Sequence, residues 1–182
     1  METKSYFLSL LSQNEPDAIA VLKGNATHPD INGVVKFYTL PESGLLIAVE
    51  ISDLPDGRGE DIPTFFAFHI HETGDCSGNF EHTGTHYNPD NVPHPEHAGD
   101  LPPLFSNDAY VWMVFYDSFH TLPMILNRSI VIHQNPDDFT TQPSGNADEK
   151  IACGVMQRTA PGTSPHPYLN RTDNENVDDK ED

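Results

Sequence analysis

The run Leu45–Ile51 sets Leu45, Ile47, Val49 and Ile51 at alternate positions, and a period of two places all four on one face of an extended strand. Ala18–Leu22 and Val34–Leu40 are two more short apolar runs, and Gly, Asn and Pro residues separate the three. Short strands at close spacing with turn residues between them predict an antiparallel meander. Phe65–His71 predicts a fourth strand, with Phe66, Phe68 and Ile70 on one face and Ala67, His69 and His71 on the other. Tyr110–Tyr116, Ser129–His133 and Ile151–Met156 are further β-type runs, which brings the count to about eight. Many short strands with few helices point to an all-β sandwich or barrel.

A chain of 182 residues fits one domain and buries a substantial core without staples. Lys4–Gln13 carries Phe7, Leu8, Leu10 and Leu11 in a helix-compatible pattern that ends near Asn14 and Pro16, so residues 1–16 read as a short N-terminal helical extension. Residues 17–157 then form the β domain. Residues 158–182, rich in Pro, Asn, Thr and acidic side chains, read as a disordered acidic tail. Two segments inside the domain, Thr73–Phe105 and Asn135–Glu149, lack periodicity. Loops of that length in a compact domain are functional or disordered, and the ligand-type residues of the first favour function.

Charge removes several classes of partner. Nine Lys and Arg against 28 Asp and Glu give a net charge of −19, the opposite of what phosphate neutralisation requires, so no nucleic acid is expected. No stretch approaches the ~20 apolar residues of a membrane span. The apolar run Ser5–Leu11 is too short and too acidic-flanked for a signal peptide, and by that criterion the chain is expected in the cytoplasm. Cys76 and Cys153 are the two cysteines. A bridge between them would close a long loop, worth about 3 to 5 kcal/mol in the chain-entropy description, yet two thiols alone do not say whether they pair.

His69-Ile70-His71 puts two imidazoles on one strand face about 6 to 7 Å apart, close enough to converge on one ion. In the segment GTHYNPDNVPHPEHAGDLP, His86, His94, His97 and Asp100 sit among prolines and glycines. Three histidines and a carboxylate suit tetrahedral zinc. The alternative for this segment is a solvated polar loop with incidental histidines. His133 ends the apolar run Ile130-Val131-Ile132 and reads equally well as a core histidine bonded to backbone.

Taken in order, FAFHIHETGDC, GTHYNP, HAGDLP, IVIHQNPDD and GNADEKIACGVM resemble the motif series of copper/zinc superoxide dismutases, bacterial-like members included. The resemblance spans Ala18 to Met156. It implies an eight-stranded Greek-key β-sandwich or barrel with two long functional loops. It also implies copper held by His69, His71, His86 and His133, and zinc held by His86, His94, His97 and Asp100, with His86 the bridging, catalytic imidazolate. Asp137 matches the carboxylate that hydrogen-bonds one ligand of each metal, here His69 and His94. Cys76 and Cys153 match the family's disulfide, which is compatible with an exported form.

The implied reaction converts two superoxide anions and two protons to oxygen and hydrogen peroxide. A copper- or zinc-binding protein without turnover is the alternative. Relatives occur as monomers and as dimers built through different faces, so a homodimer is left open. Two departures bear on these expectations. Lys150 stands where the family carries an arginine, and an ammonium is a point charge in place of a planar fork, so reduced activity is expected. The step HPEH places two zinc ligands three residues apart, where many relatives have a longer excursion. His28, His82, His120 and His166 fall outside the pattern and read as surface or satisfied histidines.

Overall fold

The structure is a computed structural model and describes residues 9–55 and 64–160. Ten strands follow in chain order: β1 (Ala18–Gly24), β2 (Asn32–Thr39), β3 (Leu45–Ser52), β4 (Phe65–Phe66), β5 (Phe68–His71), β6 (Leu104–Phe105), β7 (Val111–Asp117), β8 (Ser129–His133), β9 (Lys150–Val155) and β10 (Gln157–Arg158). Of the expected N-terminal helix, residues 9–13 are helical and the earlier part lies outside the described residues. The tail lies outside them from residue 161 onward. No helix among the described residues is long and apolar enough to cross a membrane.

β1, β2 and β3 form the predicted meander, with Lys36 opposite Ala48 and Phe37 opposite Ile47. Leu45, Ile47, Val49 and Ile51 all lie in the core, as their alternation requires. The sheet then runs β5-β8-β9-β1-β2-β3-β7. After β3 the chain crosses to the far edge for β5, returns to place β7 beside β3, and crosses again so that β8 lies beside β5. This is Greek-key connectivity. The sheet curls far enough for Phe68 and Ile70 of β5, Phe37 of β2, Ile47 of β3 and Val111 of β7 to share one core cluster, and the result is a Greek-key β-barrel.

Two details differ from the expected strands. Phe65–His71 is not continuous: the Ala67 N–H donates to the Asn135 carbonyl at 2.9 Å and its carbonyl accepts from His133 N–H at 3.0 Å. That exchange with another segment breaks the ladder, so β4 pairs with β6 while β5 pairs with β8. Gln157 and Arg158 pair with Ile19 and Ala18, which carries the sheet one residue past the boundary expected at Gln157. On β7, Trp112 and Tyr116 are exposed, and Phe115 packs half-buried against the core.

A register shift between β8 and β9 bears directly on the site. Val131 pairs with Cys153 and Ile132 with Ala152, but His133 pairs with Lys150. Ile151 is the extra residue, and such a bulge re-aims the side chains beside it.

Candidate metal centre

The loop after β5 is laid along that strand by main-chain pairing. Ile70 N–H donates to the Gly99 carbonyl at 2.9 Å, Tyr87 N–H to the Ile70 carbonyl at 2.8 Å, and Glu72 N–H to the Thr85 carbonyl at 3.0 Å. Isolated bridges set His71 beside His86 and His69 beside Asp100. Gly99 permits the approach, since a Cβ there would sit 2.2 Å from the Ile70 carbonyl oxygen. Residues distant in the loop thus arrive next to the His-x-His pair.

His69, His71, His86 and His133 form one buried cluster whose ligand-type atoms lie within 4.8 Å of one another. The tautomers follow from the outward contacts. His69 Nε2 lies 3.0 Å from Asp137 Oδ2, His71 Nδ1 3.0 Å from the Gly84 carbonyl, and His133 Nδ1 3.1 Å from the Asp148 carbonyl. Carbonyls and ionised carboxylates only accept, so these ring nitrogens carry the protons. The inward nitrogens are therefore bare. His71 Nε2 and His133 Nε2 face each other at 3.2 Å with no proton between them. His69 Nδ1 and His86 Nε2 are buried without a hydrogen-bond partner among the described residues. Converging lone pairs in a buried site repel each other unless a cation lies among them.

The surroundings hold His69, His71 and His133 neutral. Burial, then the neighbouring His133 ring, pushes His71 down to about 2. Burial, then His69, pushes His133 down to about 3. Burial also lowers His69, against the opposing pull of Asp137.

The second cluster is His86, His94, His97 and Asp100. His86 Nδ1 lies 2.8 Å from Asp100 Oδ1. His94 Nδ1 is 3.0 Å from Asp100 Oδ2 but makes no hydrogen bond among the described residues, and His97 Nδ1 is 3.4 Å from the same oxygen. A turn closed by Glu96 N–H to the Pro93 carbonyl at 2.9 Å brings the His94 and His97 rings to 5.5 Å between centroids. The short HPEH step therefore reaches one point. Burial raises the Asp100 carboxyl, but its contact with the His86 ring and the nearby His94 and His97 outweigh burial and hold it below the usual carboxylate range.

Asp137 joins the clusters. Its Oδ2 faces His69 Nε2, and its Oδ1 accepts from His94 Nε2 at 2.8 Å and from the Phe139 N–H at 2.7 Å. Burial opposes ionisation, yet the hydrogen bonds from His69, Phe139 and His94 hold its carboxyl well below the usual range. Gly145, at φ +67°, leaves the room, because a Cβ there would lie 1.9 Å from Asp137 Oδ1.

Lys150 sits at the rim. Its Nζ lies 2.8 Å from Thr83 Oγ1, 3.2 Å from the Gly84 carbonyl and 3.3 Å from the Phe80 carbonyl. Three acceptors match the three N–H donors of an ammonium. Burial lowers the lysine below its ordinary value. The lysine, His71, His86, His133 and Ser144 line a cleft of about 340 Å³. Cys76 and Cys153 are joined in a disulfide that packs with Val131 and with Phe80, whose carbonyl meets Lys150.

The carbonyls of Gly84 and Asp148, which set two ring tautomers, were beyond sequence reasoning because a backbone acceptor carries no residue-type signal. Of the histidines outside both clusters, His82 is exposed and bonded to Ser77 Oγ at 2.8 Å. His120 is buried against Asp117, and His166 lies outside the described residues.

A sequence profile for copper/zinc superoxide dismutase (SODC) matches residues 31–156. Superoxide dismutase [Cu-Zn] 1 of Aquifex aeolicus is 37% identical over 131 residues, covering 63% of this chain and 74% of that protein. Extracellular superoxide dismutase [Cu-Zn] of Rattus norvegicus is 36% identical over 138 residues, covering 70% of this chain. The human copper chaperone for superoxide dismutase is 30% identical over 162 residues, covering 81% of this chain. The chain spans 55% of the length of each of these two mammalian proteins. Among solved structures, a SOD-like protein from Bacillus subtilis superposes with a TM-score of 0.67 at 30% identity, covering 76% of this chain and 96% of that one. The profile takes in most of the barrel and every residue of both histidine clusters, and the chain belongs to the copper/zinc superoxide dismutase family, whose metals are copper and zinc.

Proposed function

We propose that this chain is a superoxide dismutase that converts two superoxide anions and two protons to oxygen and hydrogen peroxide. In this reading His69, His71, His86 and His133 hold copper, and His86, His94, His97 and Asp100 hold zinc. The observation that carries it is the set of bare nitrogens: His71 Nε2 and His133 Nε2 opposed at 3.2 Å, with His69 Nδ1 and His86 Nε2 unpartnered beside them. A site of imidazoles alone suits copper, and three nitrogens with one carboxylate suit zinc. Copper, when bound, supplies the one-electron redox chemistry, while zinc supplies charge without redox.

The chain's own residues do the rest. His86 belongs to both sets, with Nδ1 toward Asp100 and Nε2 toward the other three rings. When its Nε2 lone pair is released from the metal, that nitrogen would accept a proton and could hand it on to the reduced product. Asp137 fixes the orientation of one ring in each set. Lys150 contributes positive charge at the cleft, which matters on a chain of net charge −19 because fields between exposed charges fade beyond a Debye length of ~8 Å. The disulfide is compatible with an exported form.

A second reading is a metal carrier without turnover. It is favoured by the Lys150 ammonium, whose three donors are all engaged by Phe80, Thr83 and Gly84, and by the likeness to the human copper chaperone for superoxide dismutase. Metal analysis of the purified protein together with superoxide clearance after a radiolysis pulse separates the two. Copper and zinc with fast clearance are the expected result; bound metal without clearance would establish the carrier.

A further inference from the structure

Gln142 makes a two-point contact with the main chain of His94. Its Oε1 accepts from the His94 N–H at 3.0 Å, and its Nε2 donates to the His94 carbonyl at 2.6 Å. A backbone N–H only donates and a carbonyl only accepts, so the amide has one orientation. His94 lies in no strand, and Gln142 supplies the pair of bonds that a neighbouring strand would otherwise give.

The turn that presents Gln142 is itself held. Asp138 Oδ1 accepts from the N–H groups of Thr140 at 2.9 Å and Thr141 at 2.7 Å, and Oδ2 accepts from the Thr141 hydroxyl at 2.6 Å. Gly145 N–H donates to the Thr141 carbonyl at 2.7 Å, and Asp138 N–H donates to the Gly145 carbonyl at 2.9 Å. Asp137, at the foot of the same turn, accepts from His94 Nε2 at 2.8 Å. One loop thus grips His94 by its ring and by both main-chain polar groups. Asp137 alone would leave the ring free to swing with its backbone. With the backbone pinned, Nδ1 stays 3.0 Å from Asp100 Oδ2.

We infer that Gln142 is a positioning residue for the set His86, His94, His97 and Asp100, fixing the His94 main chain so that the Nδ1 lone pair is delivered to the zinc. The inference rests on the zinc reading proposed above.

The test uses the full chain stripped of metal, with Zn(II) affinity from chelator competition and Co(II) absorption as the spectroscopic probe. Gln142→Met keeps the length of the side chain and removes both polar contacts. Outer-shell partners of metal ligands contribute about 10- to 100-fold in affinity. Gln142→Met is expected to weaken zinc about 10-fold and to alter the visible bands of bound Co(II). Copper affinity and the melting temperature of the metal-free protein should stay near wild type. Gln142→Glu, isosteric but without the donor to the His94 carbonyl, should also weaken zinc and carries the comparison if the methionine variant does not fold. Unchanged zinc affinity and Co(II) bands in the variants would overturn the inference alone. An equal fall in copper and zinc affinity with a lowered melting temperature would also overturn it, since Gln142 would then be general loop support. Wild-type protein that takes up neither zinc nor cobalt would overturn both the inference and the reading beneath it.

Discussion

The barrel and the two long loops owe their order to different physics. In the barrel, side chains such as Phe37, Ile47, Phe68 and Ile130 are fully buried, and each makes many weak contacts that others can partly replace. In the loops, order rests on single polar groups: Asp137 on two rings, Gln142 on one backbone, and Lys150 on three acceptors. Burial is redundant, whereas a hydrogen-bonded clamp has no substitute once its group is removed. The barrel therefore governs whether the chain folds and supplies the His69, His71 and His133 rings from β5 and β8, and the loops bring His86, His94, His97 and Asp100 to them.

Acid should test the seam between the two regions with the largest effect. His71 and His133 are held down to about 2 and 3 from an ordinary 6.5. Below 6.5 the unfolded chain takes up protons that the folded chain refuses, so stability falls as pH falls. Each ring contributes up to about 1.4 kcal/mol per pH unit. The loss begins near pH 6.5 and runs toward the folded values. Denaturant melts of the metal-free protein between pH 7 and 4 should show it, and a flat profile would mean that the rings charge without cost.

A smaller effect is expected for Phe37→Ala, which touches the barrel alone. It should cost about 3 to 5 kcal/mol, yet the fraction that remains folded should bind metal normally. A changed metal stoichiometry per folded molecule would break the division drawn here. Reducing the Cys76–Cys153 disulfide attacks the tie between loop and barrel and should remove about 3 to 5 kcal/mol, visible as a lower melting temperature in reductant.

Lys150→Ala acts on the loop side with the smallest effect on folding. The second-order clearance rate should fall several-fold, about 1 kcal/mol in barrier terms, and its dependence on salt should weaken while copper content is unchanged. Equal rates for the two proteins would remove Lys150 from the chemistry. Lys150→Arg, which restores a planar fork, should raise the rate.

The same division explains what could be read from the amino-acid sequence. Alternation at Leu45, Ile47, Val49 and Ile51 reports burial on one face, and those residues are where the period places them. Phe65–His71 looked continuous because nothing in its composition reveals that Ala67 exchanges both backbone bonds with Asn135 and His133. At the site, the residue types able to bind metal were legible from the motifs. The carbonyls of Gly84 and Asp148 were not, although they decide which nitrogens are bare. Nor was the turn that brings His94 and His97 together, because spacing alone does not give the path of a loop. Gln142 carries no signal in the sequence, since its role depends on two atoms of a backbone 48 residues away.

The bulge between β8 and β9 has a consequence for change over time. With Ile151 set aside, Cys153 stays opposite Val131 and Lys150 stays opposite His133. The segment from 135 to 149 then behaves as a cassette plugged into two fixed sockets. Asp137, Gln142 and Asp148 hold the histidines of the site from within it, so a change of length elsewhere in the segment would leave both the site and the pairing of Cys153 and Lys150 in place.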